Sequence, residues 1–267
     1  MLKNNFKNID LGKGTVHLYD FGAVKLHAYK TNDFLSDECF VLQKNNKCVV
    51  IESPCFLDNN KEFEQYILDL NCSIEGVLLS YHMAGGTFLE KAKKYANKTA
   101  DEYGHNGGGK ALIDNFTKQF GDNFDSKIHT VTNYITDDNI VLADISMNII
   151  PTSEAFDIEI PEIKTTYTHM LGHDCHSIVA GKDHADHIIS TLREYIKKGY
   201  NLILSSHYTP EDLKDIETKI EYLEKLKEIA VNCSDIEEFK KIMKKEFSQY
   251  SGENYLDMTA GFFFKAQ

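Results

Sequence analysis

The sequence predicts an α/β fold, and three observations carry that prediction. The N-terminal third alternates apolar and polar residues between turn signals, the period-2 pattern of half-buried antiparallel strands. Two later runs, Gly76-Val77-Leu78-Leu79-Ser80 and Leu202-Ile203-Leu204-Ser205-Ser206, are almost continuously apolar, as strands covered on both faces are. Between and after the strands lie segments of helical periodicity, so neither an all-β nor an all-α chain fits.

Taken in order, residues 14–30 read as a β-hairpin, and residues 38–43 and 48–52 as a second one turning at Asn45-Asn46 and stopped by Ser53-Pro54. Lys61 to Leu70 is a short amphipathic helix with Phe63, Tyr66, Ile67 and Leu70 on one side. The run 76–80 enters a tight turn, Tyr81-His82-Met83-Ala84-Gly85-Gly86, with a helix expected through Glu90–Tyr95. Strand, glycine turn and helix is the layout that sets a side chain at the carboxyl edge of a sheet, where α/β sites lie. Residues 100–125 are glycine- and polar-rich around a helix at about 110–120. Strands are expected at Ile128–Val131, Asn139–Leu142, Ile145–Ile150, Ile158–Ile160 and Ile163–Tyr167, then a helix from Asp183, as N-cap, to Lys198. The strand 202–206 ends at His207-Tyr208-Thr209-Pro210, and two acidic-basic helices (about 211–230 and 235–247) precede Gly261-Phe262-Phe263-Phe264. No solenoid-period repeat and no long linker interrupt this order, so a single domain, 1–267 with a C-terminal helical extension at about 211–250, is expected.

Composition bounds the function. A net charge of −12 argues against a nucleic-acid backbone or an anionic membrane as the main partner; a small-molecule substrate is expected. No apolar run approaches the ~20 residues that span a bilayer. Met1-Leu2-Lys3-Asn4-Asn5-Phe6 has no apolar core of an export signal, and six cysteines without a C-x-x-C fit reduced thiols, so a cytoplasmic location is expected. Oligomeric state is open, a homodimer included.

The densest chemistry is Tyr167-Thr168-His169-Met170-Leu171-Gly172-His173-Asp174-Cys175-His176, with three imidazoles in eight residues at the end of a β-branched strand. Imidazoles released into a glycine turn suit a metal or an acid/base site. Taken with the order of elements, several segments resemble those of the metallo-β-lactamase fold superfamily. Val49-Val50-Ile51-Glu52 looks like its opening strands, which normally end in Asp. Val77 to Gly86 looks like the strand and loop of its H-x-H-x-D-H signature. Ile149-Ile150-Pro151-Thr152-Ser153-Glu154 sits where the family carries a third histidine, His169-Met170 near its bridging Asp, and Leu202 to Pro210 where its last histidine is delivered. The resemblance covers about residues 15–230 and implies a four-layer αββα sandwich of metallo-β-lactamase type.

The departures are as informative. Only His82 of the signature is present, Glu154 replaces the third histidine, and His207 alone matches cleanly, so the usual two-zinc site cannot be built. Two readings follow. In one, the ligands are reshuffled: His82, Glu154, His169, His207 and His176 hold a single divalent transition metal, zinc first, with iron or nickel as alternatives. His173 or Asp174 is then the proton carrier of a metal-dependent hydrolase. In the other, the scaffold is a metal-free pseudoenzyme that binds a ligand or partner. Family members act on esters, amides, phosphodiesters and thioesters, so the resemblance does not select a substrate.

Other motifs carry blander expectations. Asp183-His184-Ala185-Asp186-His187 contains H-x-D-H but reads as a solvated helix start. Gly104-His105-Asn106-Gly107-Gly108-Gly109-Lys110-Ala111 matches a phosphate loop without its Ser/Thr, and as a flexible loop could place His105 inward. His17, His27 and His129 are expected on sheet surfaces, and Cys175 as either a soft metal ligand or a small buried thiol.

Overall fold

The N-terminal alternation folds into β1 (Lys7–Asp10), β2 (Thr15–Asp20), β3 (Val24–Lys30), β4 (Glu38–Lys44) and β5 (Lys47–Ile51), each antiparallel to the next. These pair onward in parallel with β6 (Ser73–Leu78), β7 (Lys94–Ala96) and β8 (Asn133–Tyr134), giving an eight-stranded mixed sheet in sequence order. A second sheet runs β14 (Tyr208–Glu211), β13 (Leu202–Ser205), β12 (Thr165–Thr168), β11 (Phe156–Ile160), β10 (Ile145–Pro151), β9 (Asn139–Leu142), with only β12 and β13 parallel among its paired registers. The computed structural model describes residues 2–264; Met1 and residues 265–267 lie outside that range.

The chain divides into two compact units, Met1–Met170 with Asn201–Pro210, and Leu171–Tyr200 with Glu211–Gln267. Within the first, one apolar core joins both sheets, with Phe40, Val50 and Leu78 from the first and Met147, Ile158 and Leu204 from the second. Each fully buried side chain of this size contributes roughly 1.5–3 kcal/mol. Helix α1 (Leu57–Asp69) buries Phe63 and Ile67, and Phe63 stacks on Tyr29 at 4.3 Å. Helices α2 (Lys98–His105) and α3 (Gly108–Phe120) complete this unit. The second unit holds α4 (Lys182–Lys198), α5 (Leu213–Asn232), α6 (Ile236–Glu246) and α7 (Glu253–Phe263), with Thr259 Oγ1 donating to Ser177 O and accepting from Val179 N. Two mixed sheets with flanking helices make an α/β sandwich, the class expected from the sequence. Among the described residues no helix is long and apolar enough to cross a membrane.

Several local expectations are corrected. The helix expected at Glu90–Tyr95 is a turn leading into β7, because Lys94 is buried and its Nζ donates to Leu89 O (2.6 Å) and Ala92 O (3.3 Å). Residues 128–131 are not a strand. They strap the turn after β6, with His129 N donating to Met83 O (2.9 Å). Gly181, not Asp183, is the N-cap of α4, and Asp183 sits in its first turn. The glycine-rich stretch joins α2 directly to α3, so a phosphate loop's leading strand is missing, and His105 is held by Asp101 of its own helix. His27 and His129 are buried, not on sheet surfaces. His27 contacts Tyr66 Oη (2.7 Å) and Gln43 Oε1 (3.2 Å), and His129 contacts Ser53 Oγ (2.9 Å), so their polar atoms are satisfied indoors.

Glu38 opens β4 opposite Lys30, is 1% exposed, and has no hydrogen-bond partner for either carboxylate oxygen among the described residues. Burial, only partly offset by Lys30, pushes its carboxyl up to about 8 from an ordinary value of 4.5. The folded state therefore keeps a proton that the unfolded chain releases. This group's contribution is full below pH 4.5, falls as pH rises toward 8, and is level above that. Glu38→Gln is expected to flatten the pH dependence, recovering on the order of 3–5 kcal/mol at pH 9 relative to pH 4. Urea melts of both proteins at the two pH values measure it; equal slopes would remove the assignment.

Candidate metal site

Four strand ends meet at one edge of the first unit. Strands β5 and β6 are parallel, as are β12 and β13, so their carboxyl ends release Glu52, Tyr81-His82, His169 and His207 on the same side of each pair. One ring nitrogen from each of His82, His169 and His207 lies within 4.8 Å of the other two. The ring centroids stand 4.9 Å (82–207), 5.0 Å (169–207) and 5.6 Å (82–169) apart. His169 Nε2 and His207 Nε2 are separated by 3.2 Å. Two ligands of one tetrahedral ion, at 2.0–2.1 Å from it, stand about 3.3 Å apart, so this pair already has the spacing of a coordination edge.

Two of the three imidazoles are seated by a neighbouring side chain. His207 Nδ1 lies 3.2 Å from Asp37 Oδ1, and Asp37 also accepts from Cys55 Sγ (3.1 Å). Burial alone would raise the Asp37 carboxyl, but His82 and His207 outweigh it and bring it down to about 2, so it is an anion. The His207 imidazole is lowered by burial but raised overall by Asp37. With Nδ1–H directed at Asp37, the Nε2 lone pair of the neutral ring faces the other histidines, the arrangement that fixes the tautomer of metal-ligating histidines. His169 keeps an exposed edge, but its ring is otherwise crowded. Tyr81 stacks on it at 4.6 Å, and desolvation followed by the two neighbouring histidines keeps it neutral. His82 Nδ1 is buried with no hydrogen-bond partner among the described residues. An orphaned buried nitrogen beside two others is costly unless a ligand completes it.

Glu52 locks the loop that carries His82. Its Oε1 accepts from Tyr81 N (2.8 Å) and Tyr167 Oη (2.5 Å), and its Oε2 from His82 N (3.2 Å). It is fully buried at φ +62°, a left-handed conformation rare for a non-glycine residue and held here by those bonds. Farther along the same loop, Gly85 (φ +85°) passes so near Pro54 that a Cβ would meet its carbonyl oxygen at 2.1 Å. Asp157 Oδ1 accepts from Tyr81 Oη (2.9 Å), and its Oδ2 accepts from Thr168 Oγ1 (3.1 Å), tying together the residues next to His82 and His169.

No family model matches the sequence, and no curated protein does. Solved structures do match. A metallo-β-lactamase from Erythrobacter litoralis superposes with a TM-score of 0.56 at 14% identity, over 82% of this chain and 100% of that one. A metallo-β-lactamase from Pontibacter korlensis gives 0.52 at 12% identity, over 82% and 99%. The stereoselective inverting sec-alkylsulfatase Pisa1 from Pseudomonas sp. gives 0.64 at 12% identity, over 94% of this chain and 50% of that one. The chain thus spans about half the length of the alkylsulfatase. It has the metallo-β-lactamase fold.

Within the metallo-β-lactamase fold, the expected site residues distribute unevenly. His82, His169 and His207 come together. Glu154 lies exposed in the turn between β10 and β11, and the three-histidine group does not include it. His173, Asp174 and His176 belong to the second unit. There His176 is buried against Tyr222 Oη (3.1 Å), His173 meets Glu211 and Asp215, and Asp174 is exposed. Sequence reading missed Asp37 and Tyr81. Asp37 had one visible signal, an acidic pair (Asp37-Glu38) at the mouth of an apolar strand. A second acidic group, Asp33, Asp37 and Cys55, also clusters, but burial holds the Cys55 thiol far above its ordinary range, so it stays a protonated donor to Asp37.

Proposed function

We propose that this chain is a metal-dependent hydrolase acting on a small molecule, with one divalent transition ion held by His82, His169 and His207. The reading rests chiefly on one observation: three imidazoles from separate strand ends converge with two ring nitrogens at coordination-edge spacing. The donor set fits the ion. Neutral imidazoles are ligands for zinc, iron or nickel, and the partnerless His82 Nδ1 and the carboxylate-backed His207 are the features such a site needs. A bound ion there would supply Lewis acidity and acidify water at neutral pH. Asp37 orients His207, Tyr81 seats His169, and Glu52 fixes the backbone of the His82 loop. The exposed edge of His169 leaves a face for substrate. Phe34, 84% exposed and stacked on Phe120 at 5.6 Å, belongs to the same loop as Asp37 and offers an apolar flank. The lactamases and the alkylsulfatase of like fold make hydrolysis the favoured chemistry.

One observation favours the metal-free alternative: a His169–His207 contact of 3.2 Å is also a sound hydrogen bond between the N–H of one ring and the lone pair of the other. Metal analysis of protein purified without a His-tag or added metal separates the two readings. About one equivalent at this site and a matching component of the zinc-dependent rise in melting temperature are expected, both lost in His82→Ala. Zinc-independent melting of the wild type would leave the pseudoenzyme reading.

Asp37→Asn keeps the shape but removes the charge that holds His207. Zinc affinity is expected to fall about 10–100-fold, the range seen when a partner behind a ligand is lost. Competition with a chromophoric chelator measures it, and an unchanged affinity would detach Asp37 from the site.

A further inference from the structure

The second unit carries a separate cluster that the reading above does not use. His173 lies in the turn before α4, Glu211 ends β14, and Asp215 lies in the first turn of α5. One ligand atom from each falls within 4.8 Å of the other two. Glu211 and Asp215 are 2% and 5% exposed, whereas the His173 side chain is 26% exposed, so the cluster is buried on its acidic side and open on its imidazole side.

The bonding directs one nitrogen inward. Glu211 Oε1 accepts from the backbone N (2.7 Å) and contacts Nδ1 (2.7 Å) of His173. With Nδ1 carrying the proton, Nε2 keeps its lone pair, and it stands 3.5 Å from Asp215 Oδ1. That separation is long for a charge-assisted hydrogen bond, which favours 2.7–2.9 Å, but suits two ligands of one ion. Asp215 is itself fixed, since its Oδ2 accepts from Asp212 N (2.9 Å) in the capping box of α5. The loop bearing His173 is braced by Lys219, whose buried Nζ donates to Gly172 O (2.7 Å) and Cys175 O (2.9 Å).

Charge points the same way. Asp212 is 8% exposed, its Oδ2 has no hydrogen-bond partner among the described residues, and it sits with Glu211 and Asp215 in one acidic turn. Buried carboxylates in such numbers are costly without a cation beside them, and a divalent ion would supply that charge. We propose that His173, Glu211 and Asp215 form a second divalent-cation site, independent of the three-histidine site. One imidazole with two carboxylates suits a borderline ion such as zinc, with cobalt as its spectroscopic substitute.

The test uses the full chain and counts cobalt by equilibrium dialysis and visible absorption. His173→Gln is made in the wild type and in a His82→Ala/His169→Ala/His207→Ala background, each compared with its own parent. The triple variant is expected to retain about one equivalent with the weak d–d bands of a nitrogen/oxygen site. His173→Gln is expected to remove about one equivalent, or to raise the cobalt dissociation constant at least 10-fold, in both backgrounds. Equal stoichiometry and affinity, within threefold, with and without His173 would overturn the site. Metal-free melting curves of each pair show whether His173→Gln folds. If it does not, the cobalt-induced shift in melting temperature of Asp215→Asn replaces it, and an undiminished shift there overturns the site equally. Failure of the three-histidine reading alone lowers the wild-type count but leaves the His173-dependent equivalent in place.

Discussion

His207→Ala is expected to strip the transition ion from the three-histidine site and to lower hydrolytic turnover by more than 100-fold. Losing a group behind a ligand costs about 10–100-fold, and losing the ligand itself must exceed that. His207 is also the ring that the others share, lying 5.0 Å or less, centroid to centroid, from both His169 and His82. Its removal leaves Asp37 buried with one histidine partner fewer, so a loss of stability of about 1–3 kcal/mol should accompany the loss of metal. The two effects part under zinc titration. Wild-type melting temperature should rise with zinc at this site, and that component should vanish in the variant. Because a ligand must be a neutral imidazole and Asp37 raises the affinity of His207 for a proton, zinc binding should weaken as pH falls through the raised His207 value. A variant that kept full metal content at this site and full turnover would end the proposal.

Glu52→Ala should be the most destabilising single change at the site. Three donors, Tyr81 N, His82 N and Tyr167 Oη, converge on that one buried carboxylate. Hydrogen bonds to a charged group contribute about 1.5–3 kcal/mol each and do not add fully within one network. A loss of about 3–5 kcal/mol is expected, which for a chain of this size lowers the melting temperature by about 6–20 °C. Glu52→Gln keeps an acceptor oxygen and should cost about a third to a half as much. If alanine and glutamine cost the same, the carboxylate is not the hub. Thermal melts and chelator competition on the same samples separate a loosened His82 loop from global unfolding.

The strands that could be read from the sequence are those whose side-chain pattern is local. Alternation in residues 15–30 and the apolar runs 76–80 and 202–206 need no knowledge of neighbours. Lys91-Ala92-Lys93-Lys94 misled because lysines usually mark a solvated helix face, whereas Lys94 is tied down by carbonyls of the preceding turn. His27 and His129 misled for a related reason. Their partners Tyr66 and Ser53 lie 39 and 76 residues away, and only the fold brings them into contact. The three converging histidines were legible because each follows a strand, and strand ends of an α/β sheet share an edge. Asp37 and Tyr81 lie beside His207 and His169 only in the fold, so the acidic pair Asp37-Glu38 was the one local signal of either.

Strand order has a bearing on assembly. Every neighbour in both sheets is consecutive in the chain, so each sheet can zip up in the direction of synthesis. The β12–β13 pairing waits for residues 169–201 before Leu202 can lie beside Thr165, as β7–β8 waits for residues 97–132. His82 and His169 are therefore presented early, and His207 is delivered last. An ion bound at that edge would mark the arrival of His207, and stopped-flow refolding with a zinc-sensitive dye reads when it comes.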